Sequence, residues 1–129
     1  MVLTYEYDAE YHGPAIPVVQ SSSYNVTNTD LLTEITAMVD SGADATMIPD
    51  QDLRRIGARM VDRRTVRGIS GFSYSVDIYE IALQIGPFKL PKLHVVADKQ
   101  NGTPVIGRDV LNQFIVTLNG LAHIVEVSQ

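Results

Sequence analysis

One carboxylate constrains what this chain can become. Asp40 follows the apolar run Leu31 to Val39, and Ser41, Gly42 and Ala43 come directly after it. An apolar, β-branched stretch of this length reads as a buried strand. The small and polar residues behind it read as a tight loop at the strand's end. The chain must therefore hold an acidic side chain on a loop rooted in its core. The string Asp-Ser-Gly occurs once in 129 residues. Chemistry that needs two such carboxylates face to face must take the second from another copy of the chain.

The length fits one domain. The formal charge is -5 and no run of Lys or Arg stands out, which argues against nucleic acid or an anionic membrane as a partner. Cysteine is absent, so thiol catalysis, disulfides and cysteine metal sites are excluded. The start, MVLTYEYDAEY, lacks the basic and apolar regions of a secretory signal. No apolar stretch approaches the roughly 20 residues of a membrane helix. A cytoplasmic location is the expectation.

Along the chain, residues 1–13 read as a loosely held arm, Ala15 to Gln20 as an extended segment, and Ser21 to Asp30 as a loop. Leu31 to Asp40 and Thr46 to Ile48 read as strands. Pro49 to Ile56 reads as a short helix, with Asp50 and Asp52 at its start, Arg54 and Arg55 at its end, and Gly57 beyond. Arg63 to Ile85 reads as a long hairpin interrupted by RGISG, and Phe88 to Ala97 as a strand. Arg108 to Gln113 is a second helix. Phe114 to Leu118 and Leu121 to Val127 form a hairpin about Asn119-Gly120, placing His123, Val125 and Val127 on one face.

Hydrolysis of a peptide bond without metal or covalent intermediate needs an activated water and an acid for the leaving nitrogen. Two carboxylates sharing one proton supply both. Two copies of Asp40 across a two-fold axis would make that pair, with Ser41 bonding across the axis and Gly42 admitting the peptide backbone. Asp-Ser-Gly is also ordinary turn chemistry. The histidines His12, His94 and His123 are scattered without metal-ligand spacing.

Three segments in order add to this: VDSGADATMIP, RGISGF and TPVIGRDVLNQFIVTLN. In order and spacing they resemble the retroviral-type aspartic proteases, the retropepsins, over about Leu31 to Asn119. The resemblance implies a closed, mostly β acid-protease fold with a flap hairpin and one or two short helices per subunit. Residues 1–30 form an N-terminal arm and first strand outside the match, and 31–129 form the protease domain with C-terminal dimerisation strands. The implied function is an aspartic endopeptidase, active as a homodimer on extended polypeptides, with no cofactor and no metal. Asp40 is the implied catalytic carboxylate, with Ser41 and Gly42 completing the triplet. Asp44 and Arg108 pair to brace the loop, and Asp44 also meets substrate. Ile69 marks the flap tip between Gly68, Ser70 and Gly71. Met38, Ala43, Met47, Val105 and Ile106 line side-chain pockets. Arg67 and Ser70 stand where viral members commonly carry glycine. A competing expectation is a weakly active or inactive module of the same fold that binds peptides or only dimerises.

Overall fold

The computed structural model describes all 129 residues. In chain order the strands are β1 (Leu3–Glu6), β2 (Val18–Tyr24), β3 (Leu32–Val39), β4 (Met47–Pro49), β5 (Arg59–Arg67), β6 (Ser73–Ile85), β7 (Phe88–Asp98), β8 (Val105–Ile106), β9 (Ile115–Asn119) and β10 (Ile124–Ser128). Helix α1 (Asp50–Arg55) follows β4, and helix α2 (Arg108–Leu111) follows β8. The expected mostly β architecture with two short helices is what the chain adopts.

Strict alternation builds the wall. Thr33, Ile35, Ala37 and Val39 of β3 point inward, while Leu32, Glu34 and Thr36 stay exposed. The large sheet runs β2-β3-β8-β4-β7-β6-β5, and a further β2–β6 pairing closes it on itself. Closure removes the β2 edge that would otherwise invite foreign strands. The core inside holds Ile35, Ile48, Leu53, Ile56, Ile81, Ile106 and Val110, and it continues into Val125 and Val127 of a second, three-stranded sheet ordered β1-β10-β9.

Helix α1 matches its expected electrostatics. Asp50 and Asp52 lie in its first turn, Arg54 and Arg55 in its last, and Gly57 stops it at φ +62. Helix α2 ends at Leu111, earlier than the expected Gln113.

Three local expectations differ from the structure. Residues 1–13 are no loose arm throughout, because β1 pairs antiparallel with β10 from Leu3↔Val127 to Glu6↔Ile124. The Tyr-rich composition hid an alternation in which Leu3 and Tyr5 cover the core. Ser21 to Tyr24 is strand rather than loop, pairing with β3 throughout and with β6 at Ser22, Ser23 and Tyr24. Serine there suggested a turn, yet Ser21 and Ser23 are buried and their hydroxyls lack hydrogen-bond partners. Asn119-Gly120 does not make a two-residue turn. Asn119 pairs with Ile124, so the loop spans residues 120–123. His123 turns the chain at φ +54, its ring stacks on Tyr7 at 5.3 Å, and Asn119 Oδ1 accepts the Ala122 N–H.

Three nearly buried carboxylates carry ion pairs outside the apolar core: Asp52 with Arg55 at 3.2 Å, and Asp50 and Asp77, each with two cations. Asp50 receives Arg54 Nε at 2.8 Å and Lys99 Nζ at 3.2 Å. Asp77 receives Arg63 Nε at 2.8 Å and Lys99 Nζ at 3.0 Å. Burial works to raise the Asp50 pKa, but the bonds from Lys99 and Arg54 outweigh it and hold the carboxyl below its ordinary range. Bonds from Arg63 and then Lys99 lower Asp77 likewise.

Two outcomes follow for stability. A chain beginning at Asp8 loses β1 and uncovers Val125 and Val127, so urea denaturation should show a loss of roughly 2–4 kcal/mol; an unchanged midpoint would mean β1 contributes nothing. A carboxyl depressed in the folded state contributes fully above its unfolded pKa of about 4 and loses that contribution as pH falls through the lower folded value. The urea midpoint of wild type should therefore drop in this acid range, and drop less steeply in Asp77→Asn.

Candidate active site

Asp40 is held by its backbone before its side chain is considered. Strand β3 delivers it, and β8 runs parallel beside β3 with Met38 opposite Val105 and Val39 opposite Ile106. Met38 N–H donates to Pro104 O at 2.8 Å, Val39 N–H to Pro17 O at 2.9 Å, and Asp40 N–H to Ile106 O at 3.0 Å. The chain then turns, with Ala43 N–H donating to Asp40 O.

Within the loop, Gly42 N–H donates to Asp40 Oδ1 at 2.9 Å. A Cβ at Gly42 would stand 3.2 Å from that same oxygen, so glycine gives the carboxylate its clearance. Asp40 enters no ion pair, and its second oxygen makes no hydrogen bond within the chain. A half-buried carboxylate with one oxygen pinned and the other free can accept or hold a proton toward whatever faces it.

The segment after β8 supports the loop from below. Arg108 N–H donates to Ala43 O at 2.9 Å, its guanidinium donates to Ser41 O at 2.7 Å, and it pairs with Asp44. The Asp44 side chain is 90% exposed, so the carboxylate adds little energy by itself. The guanidinium's bond to the Ser41 carbonyl is what restrains the loop.

Gly107 lies so close to the loop that a Cβ would approach Ala45 C and O at 2.8 Å and Ala43 O at 2.9 Å. Backbone atoms cannot give way there, and glycine alone fits. Gly107 N–H also donates to Thr46 Oγ1 at 3.2 Å. Thr46 is fully buried; its hydroxyl donates to Asp109 Oδ1 at 2.8 Å and its N–H to Asp109 Oδ2 at 3.0 Å.

The structure thus brings together Met38, Asp40, Ser41, Gly42, Ala43, Asp44, Met47, Val105, Ile106 and Arg108. Met47 faces Val105 on one side, and Met38 faces it on the other. Met38 and Val105 are half-buried and Met47 is exposed. Ile106 has no exposed surface and belongs to the core. Gly68, Ile69, Ser70 and Gly71 lie elsewhere, on the tip of the β5–β6 hairpin. There Gly68 N–H donates to Phe72 O, Gly71 N–H to Gly68 O, and Gly71 takes φ +84. Ile69 is wholly exposed.

Sequence reasoning missed Thr46, Gly107 and Asp109 as supports. Gly107 and Asp109 stand in the sequence only as part of the segment TPVIGRDVLNQFIVTLN, and Thr46 only as a strand residue. Only the pairing of two distant segments reveals their bond. A cavity of about 630 Å³ lies between β1 and β2, lined by Tyr5, Tyr7, Val18 and Gln20 and not by Asp40. No three of the His, Asp and Glu side chains gather as a metal site requires. No helix is long and apolar enough to cross a membrane.

Comparison with known proteins agrees with this geometry. Residues 32–113 match the family model described as "gag-polyprotein putative aspartyl protease". No curated protein sequence matches significantly. Among solved structures, the chain is similar to a retropepsin-like aspartic protease from Rickettsia conorii, with TM-score 0.65 and 14% identity over 98% of this chain and 91% of that one. It is also similar to the EIAV protease complexed with the inhibitor HBY-793, with TM-score 0.60 and 15% identity over 84% of this chain and 93% of that one. The fold, the single Asp-Ser-Gly loop and the matched segment lead to one assignment: the chain belongs to the retropepsin-like aspartic protease family.

Proposed function

We propose that the protein is an aspartic endopeptidase whose working unit is a homodimer, with Asp40 of each subunit forming one dyad. A single observation carries this reading. Asp40 is firmly positioned yet unpaired, and the other acids of its surroundings are already committed, Asp44 to Arg108 and Asp109 to Thr46. A second free carboxylate is therefore to be had from another copy. Two carboxyls so close cannot both ionise, so the dyad holds one proton.

The ionised member takes a proton from water, which attacks the scissile carbonyl carbon. The protonated member donates toward the carbonyl oxygen, giving a tetrahedral diol. The carboxyl that took the water proton passes it to the leaving nitrogen as the C–N bond breaks, a diol hydroxyl returns a proton to the other carboxylate as the new acid forms, and the dyad is again singly protonated. Ser41 and Gly42 supply loop contacts at the two-fold axis and clearance for the peptide.

The substrate is an extended polypeptide. Met38, Met47 and Val105, adjacent in register, form an apolar wall for its side chains, with Ala43 beside them and Ile106 supporting from the core. The β5–β6 hairpin acts as the flap. Gly68, Ile69, Ser70 and Gly71 close over the peptide and exclude bulk water. The exposed Ile69 at the tip supports that role, because an isolated apolar side chain of this size gains by finding cover.

Replacing Asp40 by Asn keeps the shape and removes the base. Cleavage of an unstructured polypeptide should fall by roughly a thousandfold or more, while sedimentation still finds a dimer. The wild-type rate should rise and fall with pH as a bell. Equal cleavage by both proteins would refute catalysis by Asp40, and a monomer active on its own would refute the shared dyad.

A further inference from the structure

The β5–β6 hairpin leaves the barrel at a definite level. Ser73 to Asp77 of β6 pair with β5 alone, and from Ile78 onward β6 gains β7 as a second neighbour, with Ile78 opposite Val96. The register of β5 shifts at the same level, between Met60 and Asp62, where Asp62 faces Ile78. Beyond it Ile69, Phe72 and Tyr74 are exposed. A two-stranded ribbon is marginal by itself, so its direction is set at its root.

Asp77 is that root. It lies directly opposite Arg63 on β5 and takes the Arg63 guanidinium on one oxygen and the Lys99 ammonium on the other. Lys99 follows the last residue of β7, and the same ammonium reaches Asp50 at the start of α1. Asn101, in the same loop at φ +54, accepts the Gln51 N–H at 2.9 Å, which ties the loop to α1 a second time. This loop runs on into β8, the strand that pairs with Met38 and Val39 beside Asp40.

We propose that Lys99 is a positioning residue: it clamps the root of the β5–β6 hairpin to α1 and to the segment feeding β8, and so sets the hairpin's pose relative to Asp40. An ammonium suits the task, since one point charge with three donors can serve two carboxylates on different elements. Without Lys99 each carboxylate keeps its own arginine, so no buried acid is left bare. Lys99 is itself half-exposed and worth little to global stability. What its loss removes is the ionic link from the hairpin root to α1. The consequence for cleavage rests on the protease reading; the clamp does not.

Hydrogen exchange by mass spectrometry on the full chain tests the clamp without any substrate. In Lys99→Met the amides of residues 63–76 should exchange roughly tenfold faster, while those of β2 and β3 keep the wild-type rate. Lys99→Arg, which keeps a charge able to span both acids, should return the rate toward wild type. Asp77→Asn should loosen the same residues by a second route. On a peptide substrate Lys99→Met should raise KM several-fold with a smaller change in kcat. Wild-type exchange in residues 63–76 of Lys99→Met overturns the proposal, as does faster exchange spread evenly over the barrel, which marks a merely structural lysine. Should no peptide be cleaved by wild type, the protease reading fails and the exchange result still decides the clamp.

Discussion

Everything at the candidate site depends on one close approach of backbone to backbone. Gly107 presses against Ala43 and Ala45 at distances that leave no room for a side chain. That contact lets Arg108 reach the Ser41 carbonyl and lets Thr46 meet Asp109. It also allows β8, two residues long, to pair with β3 on one side and β4 on the other. A loop that would otherwise swing as a solvated turn becomes part of the core's edge. The carboxylate it carries keeps one fixed oxygen and one free one.

The same arrangement holds the Asp40 loop within one chain. The supports of Asp40 come from that chain's own backbone and from the Arg108 guanidinium. Under the dimer proposed above, shape and chemistry would be separated: each subunit would pre-form its half, and association would supply the second carboxylate. Preorganisation of this kind would lower the cost of assembling such a site, because little would be left to order when the halves met.

The legible parts of the sequence were those with strong local signals. Alternation in β3, the charge order of α1 and the glycine after it, and the long β5–β6 ribbon all follow from side-chain period and dipole complementarity. Strand β5 nonetheless begins at Arg59, ahead of the expected Arg63, since its four arginines and Asp62 give it no apolar face to read. At the site, Asp40 and Arg108 stood out by residue type and order. Thr46 and Asp109 did not, because their importance is a pairing across 63 positions that composition cannot express. Ser21 and Ser23 misled for a related reason. Hydroxyl residues suggest turns locally, whereas both are buried strand residues paired with β3, and closure of the barrel adds β6 as a second neighbour at Ser23.

The pairing of β1 with β10 has a consequence for how such a unit can be used. Leu3 stands directly opposite Val127, so the two ends of the folded body emerge side by side, separated by about the 5 Å between adjacent strands. A body with this anatomy can hang from a loop of a larger polypeptide like a pendant, joined at one place and requiring almost no gap in its host.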